Sequence, residues 1–100
     1  MARFCAHRPR SGGRGLLLDC QATTLQHLNT RVVVPLLPPD EAPYPGARLN
    51  PHFEIEGAPY VMVTQFIASV PVGSLGEIAV SLEEEAYDIL NALDMLLTGV

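Results

Sequence analysis

The last twenty residues, "SLEEEAYDILNALDMLLTGV", constrain this chain most, because they are the one stretch that reads clearly as a helix. Ser81 followed by Glu84 makes a capping box, with serine at N-cap and glutamate at N3. Glu83, Glu84 and Glu85 suit the positive end of a helix macrodipole. Ala86, Ile89, Leu90, Leu93, Leu96 and Leu97 recur at helical spacing, so one face is apolar. Gly99 is the expected residue just past the end. The spacing predicts a helix of about sixteen residues, ~24 Å long. Everything ahead of it comes in short pieces.

Those pieces read as strands. "RFCAHR" alternates, with Phe4 and Ala6 on one face and Cys5 and His7 on the other. The three-glycine turn Ser11–Gly15 separates it from "LLLDCQ", which predicts a β-hairpin with a loop longer than two residues. "RVVVPLL" is apolar on both faces and predicts a buried strand. Pro35 has no N–H to donate, so it predicts an edge or the strand's end. Residues 38–51 hold five of the nine prolines and read as a loop without regular structure. "HFEIEGAPYVMVTQF" reads as a second hairpin turning at Glu56–Pro59, and Pro71, Gly73 and Gly76 break "ASVPVGSLGEIAV" into short segments. The expected fold is mostly β, a small barrel of antiparallel strands with one C-terminal helix against it. One hundred residues suit a single domain, 1–100, with one thin core.

Composition narrows the function. The chain is 48% hydrophobic and 17% charged, with a mean hydropathy of +0.22, so some apolar surface is expected at an oligomer interface. Net charge is -5 and there is no lysine, which argues against a uniformly basic nucleic-acid binder. Four of the six arginines (Arg3, Arg8, Arg10, Arg14) lie in the first fourteen residues. That cluster is either a solvated turn or a local patch for an acidic partner. Three leucines before Asp19-Cys20 are too few for a signal peptide, which needs about 7–15 apolar residues. No run approaches the ~18 that span a membrane. Two cysteines without an export signal predict free, buried thiols in a reducing cytoplasm.

Little in the chain suggests bond chemistry. Cys5, His7, Cys20 and His52 fit no metal-ligand spacing, so no metal or cofactor is expected. Ser69 and Ser74 lack the glycine setting of a nucleophile elbow. Gly12, Gly13 and Gly15 are not followed by the Lys-Ser or Lys-Thr of a phosphate loop. The chain is not expected to be an enzyme. Asp94 stands out because a negative charge in the last helical turn opposes the macrodipole, at a few tenths of a kcal/mol or more. It is either a solvated side chain carrying that cost or a group wanted at a binding surface.

Several segments together resemble the CcdB toxins of bacterial toxin–antitoxin pairs. They are "LLLDCQATTLQHLNTRVVVPLL", "LNP", "IASVPVGSLGE" and "ILNALDMLLTGV". The anchors are Asp19-x-Gln21, Val33-x-Pro35-Leu36, Ala68-Ser69-Val70-Pro71 and the terminal x-Gly99-x. The resemblance implies a homodimer with an SH3-like barrel and a C-terminal helix. It implies poisoning of DNA gyrase through a contact on its GyrA polypeptide, without chemistry by the toxin. It also implies neutralisation by a CcdA-like antitoxin with a disordered acidic arm, and operator DNA bound only through that antitoxin. Carried over by position, the gyrase-binding set is Thr24, Leu25, Asp94, Thr98, Gly99 and Val100. The arginine cluster Arg8, Arg10 and Arg14 would receive the antitoxin arm. Toxic members carry tryptophan just before the final glycine, where this chain has Thr98. Two alternatives therefore accompany the gyrase reading. One is a member without gyrase poisoning; the other is an mRNA endonuclease toxin on the same fold, with Arg3, Arg14, Arg31 and Thr24 as its candidates.

Overall fold

Alternating apolar side chains build the sheet. The computed structural model describes residues 3–43 and 46–99. Among them seven strands form: β1 (Cys5–Pro9), β2 (Leu16–Asp19), β3 (Thr30–Leu37), β4 (His52–Ile55), β5 (Ala58–Met62), β6 (Ala68–Pro71) and β7 (Leu75–Ser81). All pair antiparallel in the order β4-β5-β3-β2-β1-β7, with β6 on β3. The helix α1 (Ala86–Thr98) follows. Leu16 and Leu18 of β2, Val34 and Leu36 of β3, and Phe53 and Ile55 of β4 share one core with Ile89, Ala92 and Leu93 of α1. The sheet curls around that core as a half-barrel, and the mostly-β expectation holds. No helix among the described residues is long and apolar enough to cross a membrane.

Pro35 departs from expectation, for it sits inside β3, a central strand. On one edge β3 pairs with β2 from Val33 to Leu36. On the other it pairs with β6 at Thr30–Val33 and with β5 at Leu36–Leu37. The Pro35 carbonyl accepts the Val63 N–H at 3.0 Å, so its nitrogen faces the gap between β6 and β5. The register sets Pro35 opposite Val63, just past the end of β5, so the missing N–H costs the ladder one bond at its last pair rather than in its middle.

The second hairpin turns more tightly than expected. Ile55 pairs with Ala58, leaving Glu56 and Gly57 as a two-residue loop with φ of 54° and 81°. Positive φ at both central residues matches the twist of the flanking strands.

The capping box does not form. Ser81 belongs to β7, opposite Cys5, and its hydroxyl accepts the Glu83 N–H at 3.3 Å. The Leu82 side chain is buried and its N–H reaches the Phe4 carbonyl at 2.8 Å. Tying the chain to β1 in this way delays the helix: the three glutamates make a 3₁₀ turn, Glu83–Glu85, before α1 begins. At the other end Gly99 adopts φ 75° and returns its N–H to the Met95 carbonyl, the left-handed cap that favours glycine.

Cys5 and Cys20 are free and buried. Burial, with the Asp19 charge beside it, pushes the Cys20 thiol up to about 12. Cys20 is therefore a packed, neutral thiol rather than a nucleophile.

Candidate functional site

Three surface regions collect the residues singled out in the sequence. The first is the tip of α1. Its buried face, Ile89, Ala92 and Leu93, stops a full turn before the end. Beyond it Asp94, Thr98 and Gly99 are exposed, and Leu97 is 71% exposed. The Thr98 hydroxyl donates back to the Asp94 carbonyl at 2.7 Å, one turn earlier on its own helix. The Asp94 carboxylate thus stands at the negative end of the helix, open to an approaching donor. Val100 lies outside the described residues.

The second region is the 3₁₀ turn Thr23–Leu25 that follows β2. Thr24 and Leu25 are both exposed.

The third region is the first hairpin, and here the arginines are not a bare basic patch. Arg8 lies 3.3 Å from Glu56 and 3.5 Å from Glu77. Arg10 donates through Nε to the Gly73 carbonyl at 2.9 Å. Arg14 forks onto Asp40 at 3.0 and 3.1 Å and reaches Glu41 at 2.9 Å. An acidic partner approaching Arg8 and Arg14 must exchange with the chain's own carboxylates, and at Arg10 with the Gly73 carbonyl. Those contacts are exposed and screened by water, so exchange costs little.

The Arg14 clasp has a testable pH dependence. The hydrogen bond from Arg14 holds the Asp40 carboxyl below the usual carboxylate range, and the same bond raises Arg14. For a depressed carboxyl, the interaction is present at neutral pH and is lost as pH falls through its lowered value, below about pH 4. NMR of the Arg14 side chain is expected to show the clasp opening in that acid range and in about 0.5 M salt. Asp40→Asn alone should shrink the acid step and Asp40→Asn with Glu41→Gln should abolish it, since both carboxylates hold Arg14; an unchanged titration in Asp40→Asn would show that Asp40 is not the partner.

Sequence reasoning used Asp19 and Gln21 only as anchors of the resemblance, and Arg31 only as a candidate for RNA chemistry. The structure joins them. Asp19 and Arg31 are 0% and 7% exposed, and Arg31 Nε lies 3.6 Å from Asp19 Oδ2. Arg31 donates to the carbonyls of Leu28 and Gln26 at 3.3 and 3.1 Å. Gln21 donates to the Leu25 carbonyl at 2.8 Å and accepts the Val32 N–H at 2.9 Å. A charged residue in an apolar strand, Arg31 beside Val32-Val33-Val34, was the available signal, since such a charge must find a partner. Arg3 is engaged as well, donating to the Cys20 carbonyl at 3.1 Å with its guanidinium 4.6 Å from the centre of the Phe4 ring. Among the described residues, no three of His, Cys, Asp and Glu gather as a metal site.

The CcdB protein family model matches residues 3–99. The chain belongs to the CcdB family. CcdB proteins are the toxin halves of toxin–antitoxin pairs, and this chain is accordingly the toxin side of such a pair. No curated protein matches the sequence. Among solved structures the chain is similar to Mycobacterium tuberculosis toxin MazF-mt6, with a TM-score of 0.72 and 18% identity. That likeness covers 90% of this chain and 92% of the other. At such an identity it is a likeness of fold, and it agrees with the SH3-like barrel and single helix.

Proposed function

We propose that this CcdB-family chain acts by protein contact, inhibiting DNA gyrase through a contact on GyrA. The tip of α1 carries the reading: Asp94, Thr98 and Gly99 project beyond the last core residue and are open to a partner. Thr24 and Leu25 supply a second contact. In a homodimer, two copies of each patch would face one target. The exposed apolar residues Phe66 and Leu90 support dimerisation. Sedimentation at low micromolar concentration is expected to give a species of twice 10.8 kDa; a species of single-chain mass alone would exclude the dimer.

A CcdA-like antitoxin would place its acidic arm on Arg8, Arg10 and Arg14, exchanging with Glu56, Glu77, Asp40 and Glu41. Operator DNA would be reached only through that antitoxin. The protein works in the cytoplasm in this reading and performs no chemistry itself. The arginine geometry favours contact over RNA cleavage. Arg31 is buried against Asp19, Arg14 is clasped by Asp40 and Glu41, and Arg3 is spent on a backbone carbonyl. These residues do not present an acid–base pair.

Deleting Thr98–Val100 is expected to abolish growth inhibition and gyrase–DNA trapping while the protein still unfolds cooperatively. Thr98→Trp should strengthen the gyrase contact by about 1–2 kcal/mol, because an aromatic anchor supplies the apolar area that threonine lacks. A truncated protein as toxic as the parent would refute the contact reading. Cleaved mRNA in place of trapped gyrase would transfer the chain to the endonuclease class.

A further inference from the structure

The turn that carries Thr24 and Leu25 has little to hold it in shape. It buries no side chain and has no side-chain cap. Its own bonds are three backbone contacts, Leu25 to Ala22 at 2.9 Å, Gln26 to Thr23 at 3.2 Å and Leu28 to Leu25 at 3.2 Å. Yet Leu25 is 44% and Leu28 41% exposed, an outward placement that apolar side chains do not choose unaided.

The restraint comes from beneath. Gln21 and Arg31 between them take the carbonyls of Leu25, Gln26 and Leu28, so the polar backbone of the loop faces inward and its leucines face out. Gln21 also holds the Val32 N–H, which ties the loop's return to β3 with the same amide. Asp19 receives the Gln21 backbone N–H on Oδ1 at 3.0 Å and presents Oδ2 to Arg31. Among the described residues neither Asp19 Oδ2 nor Arg31 Nε has a hydrogen-bond partner, so this contact is one of charge that turns the guanidinium's terminal nitrogens toward the loop. Both residues stand on the sheet, Asp19 opposite Val33 in β2 and Arg31 opposite Val70 in β3. A buried ion pair is a poor way to gain stability, since apolar residues of similar volume do as well or better. Its value here is geometric.

We propose that Asp19, Gln21 and Arg31 are positioning residues for toxin action: they mount the Thr23–Leu28 loop so that Leu25 and Leu28 form a fixed apolar contact surface. The proposal rests on the gyrase-facing reading of Thr24 and Leu25. Preorganising the loop lowers the ordering cost of binding, which would otherwise reduce affinity.

The test compares Gln21→Met, Gln21→Glu and Leu25→Ala in the full-length protein. Binding to purified GyrA and amide hydrogen exchange of residues 23–32 are both measured. Gln21→Met removes both side-chain hydrogen bonds. Gln21→Glu keeps an acceptor for Val32, loses the donor to Leu25 and adds a negative charge near Asp19, so the methionine variant decides wherever it folds and the glutamate variant serves where it does not. Both are expected to speed exchange within the loop while exchange in α1 stays slow, and to weaken binding about tenfold. Leu25→Ala should weaken binding with exchange unchanged. If Leu25→Ala binds as the parent does, the loop is not a gyrase surface, and the proposal falls with that reading. If Leu25→Ala weakens binding while the Gln21 variants keep parental affinity or parental loop exchange, the loop binds gyrase and the positioning role alone is overturned.

Discussion

Arg31→Met is expected to lower the free energy of unfolding by about 3–5 kcal/mol, the usual penalty for stranding one partner of a buried ion pair. Methionine retains much of the aliphatic stem, so lost packing contributes little. What it leaves behind is the Asp19 carboxylate, fully buried, with no cation beside Oδ2, and the carbonyls of Gln26 and Leu28 without their donors. Urea unfolding of the single variants and of the double variant Asp19→Asn/Arg31→Met measures the coupling. The double variant should recover a large share of the loss, because asparagine can still accept the Gln21 N–H and carries no charge to strand. A single-variant loss below about 1 kcal/mol would mean that water reaches Asp19, and the buried pair would not be holding the loop.

Ile89→Ala should cost about 2–5 kcal/mol. Ile89 is fully buried and joins α1 to the core with Ala92 and Leu93. A 13-residue helix is marginal in water without tertiary support, and α1 has no side-chain cap at its start. Its stability is therefore the stability of this face. Alanine there leaves a cavity that the neighbouring strands cannot fully close. Leu97→Ala is the control: with Leu97 mostly exposed, the change should stay within about 0.5 kcal/mol. Denaturant midpoints separate the two. Equal losses would place the helix's anchoring face elsewhere. In the contact reading Ile89→Ala also weakens toxicity, because it loosens the element that presents the tip.

The elements legible in the sequence are those whose signal is local. Ile89 and Leu93 recur with helical period, and Gly99 ends α1 in the conformation glycine permits. The alternation of Phe53 and Ile55 marks β4, and a tight turn at Glu56–Gly57 lies within the predicted bend. The candidate site was legible only through the resemblance to the CcdB toxins, since helical spacing carries the apolar face on to Leu96 and Leu97 and does not set Asp94 apart. That the buried face ends at Leu93 is decided by what α1 packs against.

What the sequence left open depends on which distant segment lies opposite. Pro35 reads as a strand breaker until β5 and β6 are seen to share one edge of β3 and leave its missing N–H in the gap between them. Ser81 reads as a helix cap until its pairing with Cys5 claims it for β7. The arginine cluster reads as a solvated turn or a local basic patch until Asp40 and Glu41 arrive 26 and 27 residues away, and Glu56 48 residues away. Period and propensity determined the helix and the hairpins, because burial of one local face is written in spacing. The loop mount of Asp19, Gln21 and Arg31, and the pairings of Arg8 and Arg14, were decided only by the tertiary structure. A charge selects its partner by distance in space, and spacing along the chain does not encode that distance.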